Sequence, residues 1–251
     1  MKQTDSYPWK NYSFLILLSI IAAAANLPYT NALFGNVQKE LGFSQESFMI
    51  VTFLQTLIFM AVTAFFGLFF SRRGGLKTPV LDTLVYRYPA ERPIGKTLFL
   101  SVMVGTVSGS LILLINTILE PYMTYTMIEG SASPGLVASL GVCLYGGIAE
   151  EIMLRLFCTN LFLWLLRHLY NKQSNTPIMI SIILSALIFG LLHVLSGLNA
   201  MEMDVIFIVR TISLNMIMGI VFGILYWKWG LIPAMLGHGI ADVILHVLPL
   251  L

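Results

Sequence analysis

Residues 135–166 read GLVASLGVCLYGGIAEEIMLRLFCTNLFLWLL. The stretch is apolar and long enough to cross a bilayer, whose hydrocarbon core takes about 20 residues of helix. Its charges are Glu150, Glu151 and Arg155, grouped near the middle. Ionisable groups are costly at that depth and rarely sit there without a task. The segment is also too long for one straight crossing: as a helix it would run about 48 Å against a core of about 30 Å. It must tilt, protrude or break. Gly146-Gly147, just before the carboxylates, is the place where a helix would break, and a break there would add a short eighth segment.

The rest of the chain has the same character. Of its 251 residues, 57% are hydrophobic and 10% charged, against about 25% charged in soluble domains; mean hydropathy is +0.85. Six further apolar windows, near 12–28, 47–70, 97–119, 177–198, 205–227 and 231–250, bring the spans to seven. The expected fold is therefore all-α, a polytopic bundle of seven or eight transmembrane helices in the lipid bilayer. A net charge of +2, with no basic tract carrying interleaved aromatics, argues against a nucleic-acid partner. Cys143 and Cys158 fit no metal or redox spacing and read as small apolar packing residues. Gly105-x-x-x-Gly109 and Gly219-x-x-x-Gly223 read as faces for close helix contact. At the N-terminus, Lys2 and Lys10 precede an apolar run whose Ala22–Ala25 mimics a signal cleavage site; because the run reaches Pro28, a first transmembrane helix explains it equally well.

Loop charges alternate. Lys2 and Lys10, then Arg72, Arg73, Lys77, Arg87, Arg92 and Lys96, then Arg167 and Lys172, then Lys228 fall on one side. The intervening loops carry Glu120, Glu129, Glu202 and Asp204, with Lys39 as the exception. The positive-inside rule then predicts a multi-pass protein of the cell membrane with a cytoplasmic N-terminus.

Three groups of residues could carry chemistry. On a helix Glu151 and Arg155 share a face at i,i+4, while Glu150 is turned by about 100° from Glu151. Arg155 can thus neutralise one carboxylate and leave the other as a general base. Phe189 and His193 form a second pair one turn apart, a lone histidine with an aromatic that would ordinarily face lipid or core. His238 lies between Gly237 and Gly239, which admit close approach, and Asp242 follows at i+4, where a carboxylate can fix the tautomer of an imidazole. His168 reads as solvated, His246 as structural, and Arg210 as a snorkelling residue able to bind a carboxylate or a phosphate. On straight helices His193 would lie about 25 Å from the inner edge and His238 about 10 Å, so convergence demands tilted, late-starting or half-length helices.

In this order, Glu150-Glu151-x-x-x-Arg155, Phe189-x-x-x-His193 and His238-x-x-x-Asp242 resemble the CPBP family of intramembrane endopeptidases, the CAAX proteases and bacteriocin-processing (Abi) enzymes. The matching region is about 135–245, so the expected division is N-terminal transmembrane helices over 1–130 and a catalytic core over 131–251. The resemblance implies hydrolysis of a peptide bond in a membrane-associated peptide or protein. By position, Glu150 and His193 would activate water, His238 and Asp242 would stabilise the oxyanion or complete a metal site, and Glu151, Arg155 and Phe189 would support them. Zinc or another divalent ion on Glu150, His193 and His238 is one reading; a metal-free glutamate mechanism is the other. Leu154 and Leu156 stand where the family often has an aromatic and a glycine. Asp242 replaces the asparagine of prenyl-protein proteases, and an ionised carboxylate cannot donate to an oxyanion. This departure points towards bacteriocin or signalling-peptide precursors as substrates. The competing readings are a proton-coupled transporter or channel, a haem protein using His193 and His238, and a non-proteolytic scaffold or immunity factor of the same fold.

Overall fold

The computed structural model describes residues 7–90, 92–170 and 174–251; Lys2 and Lys172 of the charge pattern lie outside them. Among the described residues, seven helices are long and apolar enough to cross a membrane. The first is α1 (Trp9–Leu33), followed by a short α2 (Gly35–Glu40). The second is α3 (Gln45–Arg72), whose Ser44 cap accepts a hydrogen bond from the Ser47 amide. A basic connection carries the short α4 (Pro79–Tyr86), and α5 (Ile94–Leu119) is the third span. The fourth comprises α6 (Leu136–Tyr145), a π-helical segment (Gly146–Thr159) and α7 (Asn160–Leu166). The last three are α8 (Thr176–Gly197), α9 (Val205–Trp229) and α10 (Leu231–Asp242), which runs on through a wider π turn (Val243–Val247) and a tighter 3₁₀ turn (Leu248–Leu250).

The polytopic α-bundle is as expected, and the window edges fall within a few residues of the helices. The eighth segment is absent. The fourth span does not break at Gly146-Gly147; it widens there into i→i+5 turns. Wider turns advance less per residue, which shortens an otherwise overlong crossing. The Leu154 carbonyl accepts from Thr159 Oγ1 at 2.9 Å, five residues on in the same segment, and from Ser185 Oγ of α8 at 2.7 Å. Both side chains satisfy backbone that the irregular winding leaves available.

The glycine pair serves as a crossing point for α10. A Cβ on Gly147 would lie 3.2 Å from the Gly239 Cα, and one on Gly146 would overlap the Asp242 carboxylate. The other small-residue faces behave as expected. Gly105 and Gly109 of α5 meet Gly237 and Ala241, and Gly219 and Gly223 of α9 meet Ala186 and Ile182. These contacts put the fourth, fifth and seventh spans at the centre: 50%, 44% and 44% of their most apolar windows are buried in protein, against 22% for each of the first three. The peripheral helices α3 and α5 turn large apolar side chains such as Ile58, Phe99 and Val107 outwards, where lipid replaces solvent.

Sequence patterning did not foresee the caps at the two ends. At one end, Tyr125–Met127 (β1) pairs antiparallel with Met201–Met203 (β2). Asn36 of α2 donates to the Asn199 carbonyl at 2.8 Å, and Ser131 to the Leu33 carbonyl at 2.7 Å. Asp204 caps α9 through the Phe207 amide at 2.7 Å and also accepts from the Thr124 amide at 2.6 Å; these bonds hold its carboxyl below the ordinary range. At the opposite end α4 is clamped to α1 by Asn11 donating to Asp82 at 2.6 Å. The α9–α10 turn is the single residue Gly230, at φ +96° and tight against Pro79, a conformation and an approach that a side chain would spoil.

Candidate active site

The depth mismatch between the two histidines is resolved by a late start. Gly105 lies eleven residues past the start of α5 and Gly237 six past the start of α10, and the two backbones touch. Their helices run parallel, so α10 begins about 7 Å deeper in the bundle. His238 is thereby lifted towards the level of Phe189 on α8, one turn before His193. The Phe189 ring meets both imidazoles edge-on, with centroids 4.6 Å from His193 and 5.6 Å from His238.

His238 is the centre of the cluster and is 3% exposed. Its Nδ1 lies 2.9 Å from Glu151 Oε1. Its Nε2 lies 3.4 Å from Asp242 Oδ2 and 3.7 Å from Glu150 Oε2. Phe222 of α9 stacks on the ring at 4.5 Å and 18°, so the imidazole is held in its plane and at both nitrogens. Gly146 makes this possible: a Cβ there would occupy the space of Asp242 Oδ2 and come within 3.4 Å of His238 Nε2.

Glu151 is wholly buried and pairs with Arg155 at 3.3 Å, one i,i+4 step away. The Arg155 guanidinium also lies 5.1 Å from the Phe189 ring centre, where the negative face of an aromatic favours a cation. Breaking such a buried pair costs about 3–5 kcal/mol, because the partner is left as an uncompensated charge. Glu150, in contrast, keeps 17% of its side chain exposed. The division of labour expected from sequence, one carboxylate locked and its neighbour left accessible, is what the helix presents. His193 is half-buried, and its Nδ1 lies 3.0 Å from the Phe189 carbonyl. That bond requires the proton on Nδ1 and leaves Nε2 as an acceptor. No hydrogen bond or ion pair joins His193 to Glu150 directly.

Several neighbours were not singled out in the sequence. Phe222 has no signal beyond a generic aromatic. The Tyr29 hydroxyl, one residue past the Pro28 interruption in α1, lies within electrostatic reach of Glu150 and Asp242, and that of Tyr145 within reach of Glu150. His246, read from sequence as structural, lies in the field of His193, Glu150 and His238. Its spacing of eight from His238, two turns along one helix, was the available clue. His168 is exposed and Cys143 buried, as expected. Arg210 is half-buried and donates to the Asn116 side chain of α5, away from this cluster.

Residues 132–244, the part of the chain that contains every member of the cluster except Tyr29 and His246, match the family model described as type II CAAX prenyl endopeptidase, Rce1-like. This region belongs to the CPBP family of intramembrane endopeptidases. No curated protein and no solved structure matches the chain. The match of this region, with the seven apolar helices, supports a multi-pass membrane protein, and the matched family implies a peptide or protein substrate. The transport and haem readings do not share that family.

Among the described residues, no group of three or more His, Cys, Asp or Glu side chains is placed to hold an ion. Both nitrogens of His238 face carboxylates, and Nδ1 of His193 is taken up by the Phe189 carbonyl. Glu150, His193 and His238 do not fit a zinc site as they stand.

Proposed function

We propose that the protein is an endopeptidase that cleaves membrane-associated peptides with water activated by Glu150 and His193. The observation that carries this reading is the position of Glu150: accessible, beside the clamped His238, with the neighbouring Glu151 already neutralised by Arg155. A water held between Glu150 and His193 Nε2 loses its proton to the carboxylate as it attacks the scissile carbonyl. His238, with both ring nitrogens facing carboxylates, carries an Nε2–H that donates to the oxyanion. Asp242 cannot make that donation as a carboxylate; its distance from Nε2 suits it to orient His238 and to support its positive charge. The proton held by Glu150 then passes to the leaving amine.

The substrates in this reading are bacteriocin-type or signalling-peptide precursors in preference to prenylated proteins. Support comes from Asp242, which takes the place of the asparagine expected of a prenyl-protein protease. The membrane is the cell membrane, with the basic loops and the N-terminus in the cytoplasm, on the strength of the charge pattern.

A matched set of bilayer-anchored peptides tests the substrate class, half ending in a farnesylated CAAX sequence and half unmodified with a hydrophobic leader. The purified protein in liposomes should cleave unmodified leaders at higher kcat/KM, and EDTA should leave the rate unchanged. Preference for the farnesylated set would overturn the substrate assignment. Loss of activity with EDTA, restored by zinc, would overturn the metal-free mechanism.

A further inference from the structure

The oxyanion in the reaction proposed above meets one donor so far, the Nε2–H of His238. Sites that stabilise a developing oxyanion usually aim more than one donor at it. Asp242, the carboxylate nearest to that nitrogen at 3.4 Å, cannot donate while ionised. A second, neutral donor is needed beside His238.

One stands outside the matched region, on the first transmembrane helix. Helices α1 and α10 meet neighbouring positions of α6. A Cβ on Gly141 of α6 would overlap the Ala25 carbonyl of α1, and one on Gly239 of α10 would lie 3.6 Å from the Cys143 carbonyl. Tyr29 follows Ala25 by one turn and shares its face of α1. Helical side chains lean towards the N-terminal end of their helix, which carries the long Tyr29 side chain back towards the level of the Ala25 contact. Its hydroxyl lies within electrostatic reach of Cys143, Asp242 and Glu150. The two carboxylates are the pair that flanks His238 Nε2, at 3.4 Å and 3.7 Å. The phenol and the imidazole thus approach one region from different helices.

The Tyr29 side chain is half-buried, and among the described residues its hydroxyl makes no hydrogen bond. A buried tyrosine hydroxyl ordinarily finds a partner; this one has its donor free. A tyrosine that only anchored α1 at the interface would face headgroups, not two carboxylates of the reaction centre. Tyr145, the other tyrosine near the cluster, feels Glu150 and packs against the hydrophobic core, so Tyr29 is the better placed of the two.

We propose that Tyr29 is a further catalytic residue, whose hydroxyl donates to the oxyanion beside the Nε2–H of His238. The inference rests on the peptidase reading. Water adds its oxygen to the scissile carbonyl and gives its proton to Glu150. The negative charge that collects on the former carbonyl oxygen then meets two donors, one from α10 and one from α1. Tyr29 keeps its proton throughout. The N-terminal helices are then more than an anchor, since α1 completes the site.

The test compares the wild type with Tyr29→Phe in liposomes. It uses a bilayer-anchored leader peptide, and the same peptide with a phosphinate in place of the scissile amide, whose tetrahedral anionic centre copies the intermediate. Loss of one oxyanion donor should lower kcat by about 10²–10³ and weaken phosphinate binding to a similar degree. KM and Tm should stay as in the wild type, because the hydroxyl has no partner in the fold and meets the substrate only as charge develops. Wild-type kcat and phosphinate affinity in the variant would overturn the proposal. So would a loss of activity matched by a fall in Tm, which would make Tyr29 structural, or a raised KM at unchanged kcat, which would make it a substrate-binding residue. A wild type that cleaves nothing would instead remove the peptidase reading, and this inference with it.

Discussion

Glu151 is fully buried between Arg155 and His238, whereas Glu150, the preceding residue, stays partly exposed beside His238. The two carboxylates should therefore respond differently to the same substitution. Glu150→Gln is expected to leave Tm within experimental error and to lower turnover by about 10²–10⁴, the range of a positioned general base. Glu151→Gln is expected to lower both, because it strands the buried Arg155 at a cost of about 3–5 kcal/mol and frees one nitrogen of His238. A thermal melt beside a cleavage assay separates these cases; equal loss of Tm in both variants would show that Glu150 is structural too. At this scale the sequence was informative, since costly charges in apolar sequence mark themselves. Phe222 and Tyr29 were not legible, because an aromatic residue in a membrane helix is indistinguishable by type from one that faces lipid.

The spans were legible as elements because hydropathy depends on composition, and composition survives any packing. Their depth was not. Counting from the edge of each apolar run placed His193 and His238 at different levels, and only the Gly105–Gly237 contact shows that α10 starts late. The Gly146-Gly147 pair was read as a break because glycine weakens helices; its role is instead to let α10 cross. Gly146→Ala should accordingly push Asp242 and His238 apart, costing about 1–3 kcal/mol of stability by overpacking and most of the activity. Gly95→Ala on α5, where an added Cβ meets nothing within 4 Å, should retain full activity. The α9 cap gives a pH-dependent prediction. The Asp204 carboxyl is held below its ordinary value by amide hydrogen bonds, so its stabilising effect is present above the ordinary value of about 3.9 and is lost as pH falls through the lower, folded value. Amide exchange at Thr124 and Phe207, corrected for intrinsic rates, should rise in that acid window; Asp204→Ala should show the same rise at neutral pH.

For the whole molecule, the seven candidate spans among the described residues would put Trp9 and Leu250 on opposite faces of a membrane, and the orientation proposed above sets the basic face in the cytoplasm. With Cys143 and Cys158 replaced by alanine, Ser131→Cys in the outer cap should react with an impermeant maleimide in intact cells, and Lys77→Cys should react only after permeabilisation; the reverse pattern would invert the orientation. The bundle as a whole serves to bring three distant motifs together: the fourth span supplies the carboxylates, α8 supplies Phe189 and His193, and α10, started late by the Gly230 turn, supplies His238 and Asp242. The most direct test of that convergence is cleavage of bilayer-anchored peptides by the wild-type protein and by Glu150→Gln, reconstituted side by side after both are shown to melt alike. The wild type should cleave, and the variant should lose at least about 10² in rate. A variant that cleaves as well as the wild type would contradict that convergence.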